Sequence, residues 1–281
     1  MRSNASIDKA ALLAEGSTAD IYAWKDGTVL KLFKERTPWH ANEVTATKVA
    51  CKSGLPVPKV CSELIEVGQR EGIVFERIDG PTMLDYLENH PTKVEYCARC
   101  AANLHTRIHS TEVTNLPLLT ELLSWSIRQA DSLEEKTRKI VLDILNALPA
   151  REILCHNDFY PNNIIMSQRG PIIIDWAIGT LGNPCADYAR TWLISRMWLD
   201  RLKESEEPEK TKLMWQKFWD MFFHQYEELN PSCSKNLIQW QIVTTTASLV
   251  WDKNITSTKQ RLSFINAALC NAEHSWLRHS E

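Results

Sequence analysis

The 281-residue chain has no run of 18 or more apolar residues, so the sequence offers no candidate for a membrane-spanning helix. Its start, MRSNASIDKAALLAEG, is basic but lacks the apolar stretch of a secretory signal. Both absences predict a cytoplasmic protein with no membrane partner. An excess of positive charge is missing too. With 32 basic and 35 acidic side chains the net charge is −3, which argues against a nucleic-acid partner. The first 78 residues carry 11 basic and 10 acidic groups and the rest carry 21 and 25, so the C-terminal part leaves room for a cationic or neutral ligand. Paired cysteine motifs are also absent. The eight cysteines are scattered; only Cys97 and Cys100 lie close, in a stretch of helical pattern, and without a second pair they read as small buried hydrophobes. A chain of this length needs no disulfide staples. No repeat and no low-complexity tract appears.

What is present is an ordinary globular composition, 44% apolar and 24% charged, in a chain long enough for one large domain or two separate cores. The first third reads as strands with one helix. Residues 11–14, 21–25 and 29–33 are short apolar or alternating runs, the last two separated by the turn signal Asp26-Gly27. Residues 38–52 form a helix pattern with proline near its start and Gly54 beyond its end. Two more strands, 60–66 and 73–77, flank a turn at 68–72. After Asp79-Gly80-Pro81 the apolar spacing changes to three and four, predicting helix over 84–88, 94–109 and 118–148. A β island at 164–166 and 172–174 interrupts this pattern, which resumes beyond Pro184. The order predicts an α+β fold of two lobes. Residues 1–78 make a small strand-rich N-terminal lobe with one helix, and residues 79–281 a larger, mainly helical C-terminal lobe.

The chemistry concentrates in ILCHNDFYPNNIIM, residues 153–166, and in IIIDW, residues 172–176. An aspartate is followed five residues later by an asparagine, then by a strand, a turn, a second strand and another aspartate. Phosphoryl transfer from a metal-bound nucleotide needs this inventory: one carboxylate for the acceptor hydroxyl's proton and further oxygens to hold Mg²⁺ against the phosphates. Asp158 fits the first role, Asn163 and Asp175 the second. A hairpin brings the residue before its first strand close to the residue after its second, so Asn163 and Asp175 can reach one metal ion.

This pattern resembles the catalytic loop H-x-D-x-x-x-x-N and the metal-binding I-D-W/F element of aminoglycoside phosphotransferases and choline kinases, which share the protein-kinase-like fold. The resemblance implies Asp158 as catalytic base, Asn163 and Asp175 as Mg²⁺ ligands, and His156 as a residue that holds the loop. It pairs Lys31 with Glu43 for the phosphates of ATP or GTP. It puts Gly16, Ser17 and Thr18 over the nucleotide, and a hinge at 75–80 whose Glu76 carbonyl and Ile78 N–H meet the base. Asp187, in GNPCADYAR, is expected to cap the following helix or to brace the catalytic loop. Trp176 stands where protein kinases carry the Phe-Gly of Asp-Phe-Gly, which favours the small-molecule branch.

The expected activity is a small-molecule kinase that moves the γ-phosphoryl group to a hydroxyl, with amine-bearing acceptors such as amino sugars or amino alcohols in view. Eleven tryptophans suit cation–π binding of such a ligand, but Trp215 and Trp219, four apart, read as one buried helix stripe. Two other readings remain at this point. A nucleotide-binding pseudo-kinase module is disfavoured because Lys31, Glu43, Asp158, Asn163 and Asp175 are all present. A protein Ser/Thr kinase is disfavoured by Asp175-Trp176. The acceptor's identity and the oligomeric state are not encoded legibly.

Overall fold

The computed structural model describes residues 11–251 and 255–276. In chain order the strands are β1 (Leu12–Glu15), β2 (Ala19–Ala23), β3 (Thr28–Phe33), β4 (Val60–Val67), β5 (Arg70–Glu76), β6 (Ile153–Cys155), β7 (Ile164–Ser167), β8 (Gly170–Ile173) and β9 (Thr180–Gly182). The helices are α1 (Trp39–Lys52), α2 (Met83–Asn89), α3 (Val94–Ile108), α4 (Leu119–Gln129), α5 (Glu135–Ala147), α6 (Pro184–Glu204), α7 (Glu209–Leu229), α8 (Leu237–Ala247) and α9 (Ile255–Trp276). The fold is α+β, with a five-stranded antiparallel sheet in the N-terminal part and a mostly helical remainder. Two compact units result. One holds the chain through Lys93 plus Tyr160–Gly179; the other holds Val94–Phe159 plus the chain from Thr180 onward. Among the described residues no helix is long and apolar enough to cross a membrane.

In the first unit the sheet order is β1-β2-β3-β5-β4. Strand side chains alternate between faces, and β3 uses both. Leu30 and Leu32 pack with Val67 and Val74 on one face. Phe33 packs with Ala19, Val44, Ile73 and Phe75 on the other, with Val29 against them. Val44 belongs to α1, so Lys31, between Val29 and Phe33, projects toward that helix. Helix α1 ends where Gly54, at φ +77°, lets its own N–H reach Cys51 and the Leu55 N–H reach Ala50, both at 3.1 Å. The turn between β2 and β3 starts earlier than the sequence pattern predicts. Trp24 and Lys25 leave the strand because Asp26 and Gly27 both adopt positive φ, at 52° and 69°.

The β7–β8 hairpin also belongs to this unit. Ile164 pairs with Ile173 and Ser167 with Gly170, leaving a two-residue turn. Its β7 edge meets the segment entering α2: Thr82 bridges Ile165, and the Met166 N–H donates to the Pro81 carbonyl at 2.8 Å. Gly80 makes this approach possible. Its φ is +150°, and a Cβ there would run into the Met166 carbonyl oxygen.

The second unit is built on α3 against α7 and α6 against α8. Trp215, Phe218, Trp219, Phe222 and Tyr226 form one buried stripe of α7, which assigns Trp215 and Trp219 to the core. Strands β6 and β9 pair antiparallel and were not distinguishable in the sequence as three-residue runs. The single helical stretch expected over 118–148 is in fact two helices, α4 and α5. No glycine or proline marks the break. Instead the Arg138 guanidinium reaches back from α5 and donates to the carbonyls of Ile127, Arg128, Ala130 and Leu133 at 2.6 to 3.1 Å, satisfying the end of α4.

Replacing Gly80 with alanine is expected to destabilise the protein by about 2 kcal/mol, because the strained φ and the carbonyl collision act together. Urea unfolding of the variant checks this, and an unchanged midpoint would contradict the tight seating of β7.

Candidate functional site

A cavity of about 630 Å³ lies within the first unit. That is an ordinary size for a small-molecule site. Ile21, Val29, Phe75, Ile165 and Ile174 supply apolar walls. Gly16, Ser17 and Thr18 line one side, and Glu76, Ile78 and neighbouring residues of the 76–80 connector line another. The first of these is a short loop, since Glu15 already pairs with Asp20 across β1 and β2 and the Gly16 N–H closes on the Ala19 carbonyl at 2.9 Å. Lys31, Glu43, Asn163 and Asp175 complete the lining.

Lys31 is 8% exposed and Glu43 1%. The Lys31 ammonium donates to both Glu43 oxygens, at 2.7 and 2.9 Å, and to Asp175 Oδ1 at 2.9 Å. Burial works against its charge, but Glu43 and Asp175 outweigh burial and hold Lys31 above its usual range. Burial pushes the Glu43 carboxyl up, Lys31 pulls it back and Asp175 adds to the rise, leaving it at about 7. The cation is therefore the settled member. The costly charge is the second negative one, because two carboxylates share a single ammonium.

Asp175 follows β8 and adopts φ +64°, uncommon for a residue with a side chain. The Ile174 N–H donates to the Asn163 carbonyl at 3.0 Å and closes the open end of the hairpin, so Asn163 and Asp175 bracket it. Trp176 is fully buried and anchors the exit. Asn42, which sequence reasoning passed over, donates to the carbonyls of Ala177 at 2.8 Å and Gly179 at 3.0 Å, tying α1 to the segment behind Asp175. Asn163 and Asp175 offer hard oxygen donors at the wall of one cavity, a donor set that fits Mg²⁺. The apolar walls and the backbone of 76–80 fit a nucleotide base.

The second unit holds the loop that follows β6. Asp158 is half-buried, and its N–H donates to His156 Nδ1 at 3.3 Å. Fully buried Asp187 accepts the N–H groups of His156 at 2.6 Å and Asn157 at 2.8 Å. The cap of α6 is made instead by Asn183, whose side chain accepts the Cys185 N–H at 3.0 Å. Asn157 sits at φ +63°, and its amide donates to the Thr180 hydroxyl at 2.8 Å.

Two histidines stand behind Asp187: His105 in the last turn of α3 and His109, the residue just past its end. Sequence reasoning missed them, although their four-residue spacing on one helix face was the available signal. A carboxylate only accepts, so His109 Nε2 donates to Asp187 at 3.1 Å, and its Nδ1 faces the Tyr226 hydroxyl at 2.6 Å. His105 Nε2 approaches the same Asp187 oxygen at 3.4 Å without hydrogen-bonding geometry, and its ring stacks on Phe159. Burial opposes the charge of Asp187, yet the two imidazoles hold its carboxyl well below the usual range. Arg190 is a further missed residue. Burial lowers its pKa, while the charges of Asp158 and then Asp187 work the other way.

The family model described as phosphotransferase enzyme family (APH) matches residues 9–215, and the chain belongs to that family. It is a phosphotransferase with an alcohol group as acceptor. Among solved structures it is similar to a thermostable mutant of aminoglycoside phosphotransferase APH(4)-Ia in ternary complex with ADP and hygromycin B. Identity is 14%, coverage 93% of each chain and TM-score 0.66. It is also similar to a choline/ethanolamine kinase family protein from Mesorhizobium loti, at 14% identity over 92% of this chain and 87% of that one, with TM-score 0.61. The GDP and kanamycin complex of APH(2")-IIIa is similar at 13% identity, 94% of each chain and TM-score 0.53. No curated protein gives a significant sequence match.

Burial, then the charge of His109, lowers the pKa of His105 from 6.5 to about 4, against the pull of Asp187. The unfolded chain therefore takes up a proton that the folded one refuses between those values, and stability falls as pH drops from about 6.5 to about 4. The expected loss is about 3 kcal/mol. The Glu43 carboxyl, raised to about 7, works with the opposite sign in this window but does so in the native chain and in His105→Leu alike. Urea midpoints should therefore show the native chain losing stability relative to His105→Leu as pH drops. An equal slope in both would remove His105 as the cause.

Proposed function

We propose that the protein transfers the γ-phosphoryl group of ATP, with Mg²⁺, to a hydroxyl of a small amine-bearing compound such as an amino sugar or amino alcohol, in the cytoplasm. The observation that carries this reading is the Lys31 ammonium bonded at once to Glu43 and Asp175 in the wall of the cavity. Residues through Ile78 are assigned to nucleotide binding and the remainder to catalysis and acceptor binding.

Glu43 aims Lys31 at the phosphates, and Gly16, Ser17 and Thr18 supply backbone N–H groups and hydroxyls over them. The Glu76 carbonyl and Ile78 N–H take the adenine edge. Asn163 and Asp175 would hold Mg²⁺, which would neutralise charge on the phosphates. Asp158 accepts the proton of the acceptor hydroxyl as the new O–P bond forms. Asp187, acting through the amides of His156 and Asn157, holds the loop that presents it.

Solved relatives complexed with ADP or AMP-PNP support adenine nucleotides, whereas one with GDP keeps guanine nucleotides in the comparison. An amine-bearing acceptor draws support from the choline/ethanolamine kinase family neighbour and the more acidic C-terminal part. The test is nucleotide consumption with Mg²⁺ across amino sugars, amino alcohols and neutral sugars, using ATP and GTP in parallel. Asp158→Ala should lower kcat about a hundred- to ten-thousand-fold while leaving nucleotide affinity intact. A variant that turns over at the native rate would strip Asp158 of its role.

A further inference from the structure

Away from the cavity and the catalytic loop, two thiols meet inside the second unit. Cys185 Sγ and Cys233 Sγ lie 2.7 Å apart, although the two residues are 48 positions apart in sequence. Cys185 is the second residue of α6, fixed by its N–H on Asn183. Cys233 lies in the short helical turn 231–234 after α7, with its N–H on the Asn230 carbonyl at 3.0 Å. They are 9% and 2% exposed. Each thiol is thus held by an ordered backbone hydrogen bond, and the two sulfurs face each other with no residue between them. A disulfide needs S–S of ~2.05 Å and compatible backbone positions, and this pair needs only a small approach to reach it.

We propose that Cys185 and Cys233 are a reversible dithiol–disulfide pair, a redox modification site that joins the start of α6 to the turn after α7. Cys185 is the attacking sulfur. It sits at a helix N-terminus, where thiolate is favoured, and the Cys233 thiol and then the Arg151 charge lower its pKa against the effect of burial. Cys233, pushed up by its contact with Cys185 and by burial, keeps its proton until the second step.

The oxidant is a small peroxide, which suits a site of such low exposure. Cys185 thiolate attacks one peroxide oxygen, the O–O bond breaks, hydroxide leaves, and Cys185 becomes a sulfenic acid. Cys233 sulfur then attacks Cys185 sulfur. The S–OH bond breaks, the Cys233 proton joins the departing hydroxide as water, and the disulfide remains. In sum, two thiols and one hydrogen peroxide give one disulfide and two waters. A dithiol reductant reverses it.

The position gives the bond a consequence. Asp187 lies two residues after Cys185, and the Tyr226 hydroxyl lies 3.8 Å from Cys233 Sγ and 2.6 Å from His109. The disulfide would tie together both ends of the buried network that holds the backbone at 156–157.

The full-length native protein, treated with hydrogen peroxide and then alkylated under denaturing non-reducing conditions, is digested with trypsin and read by mass spectrometry. The expected product is the peptide ending at Arg190 cross-linked to the peptide ending at Lys235, cleaved again by dithiothreitol. In Cys233→Ser the same treatment with dimedone present should label Cys185 as trapped sulfenic acid. Cys185 and Cys233 both recovered as alkylated thiols, or Cys185 recovered as sulfinic acid without the cross-link, would overturn the proposal. Neither readout depends on phosphotransferase activity.

Discussion

One buried ammonium answers to two carboxylates, and the arrangement of the N-terminal unit follows from keeping it there. Lys31 can sit at low exposure only because α1 supplies Glu43 and the segment after β8 supplies Asp175. Those two partners come from elements 12 and 144 residues away in sequence. Their placement is fixed by apolar contacts that have nothing to do with charge: Val44 against Phe33 and Ile73, and Trp176 buried behind Asp175. Hydrophobic packing sets the positions, and the ion cluster then defines which chemistry the cavity can host. Removing either carboxylate leaves a different cavity, since the ammonium would lose part of what holds its charge.

The second unit solves a similar problem with the signs exchanged. Asp187 is a fully buried carboxylate stabilised by two backbone N–H groups and two imidazoles. Its donors come from the loop at 156–157 and from His109 just past α3, so a single acid joins the loop to the helical core. The strained φ of Asn157 persists because the surrounding bonds over-determine it. Both units thus place one buried charge among segments of chain distant in sequence, and surround it with enough donors or acceptors to offset the loss of water.

Local features of the sequence were readable. The Asp158-to-Asn163 spacing and the hairpin ending in Asp175 lie in one continuous stretch. Lys31 within an apolar strand is visible in the strand pattern, and Glu43 twelve residues on is singled out as its partner by the family resemblance. Long-range choices were not readable. Nothing in the sequence distinguishes Asp187 as helix cap from Asp187 as loop anchor. The decision rests on Asn183, which takes the cap and frees the carboxylate for the loop. His105 and His109 look like ordinary helix residues until α3 is seen beside Asp187. The break between α4 and α5 depends on Arg138, whose role exists only after the chain folds back. Short pairings such as β6 with β9 carry too few residues to show a period.

The most direct test of the shared ammonium is calorimetric titration of an ATP analogue, with and without Mg²⁺, into the native chain and into Asp175→Asn. If Asp175 both competes for Lys31 and holds the metal ion, the native chain gains affinity on adding Mg²⁺. The variant then loses that gain but binds the metal-free analogue at least as well. An equal Mg²⁺ gain in both proteins would contradict the arrangement.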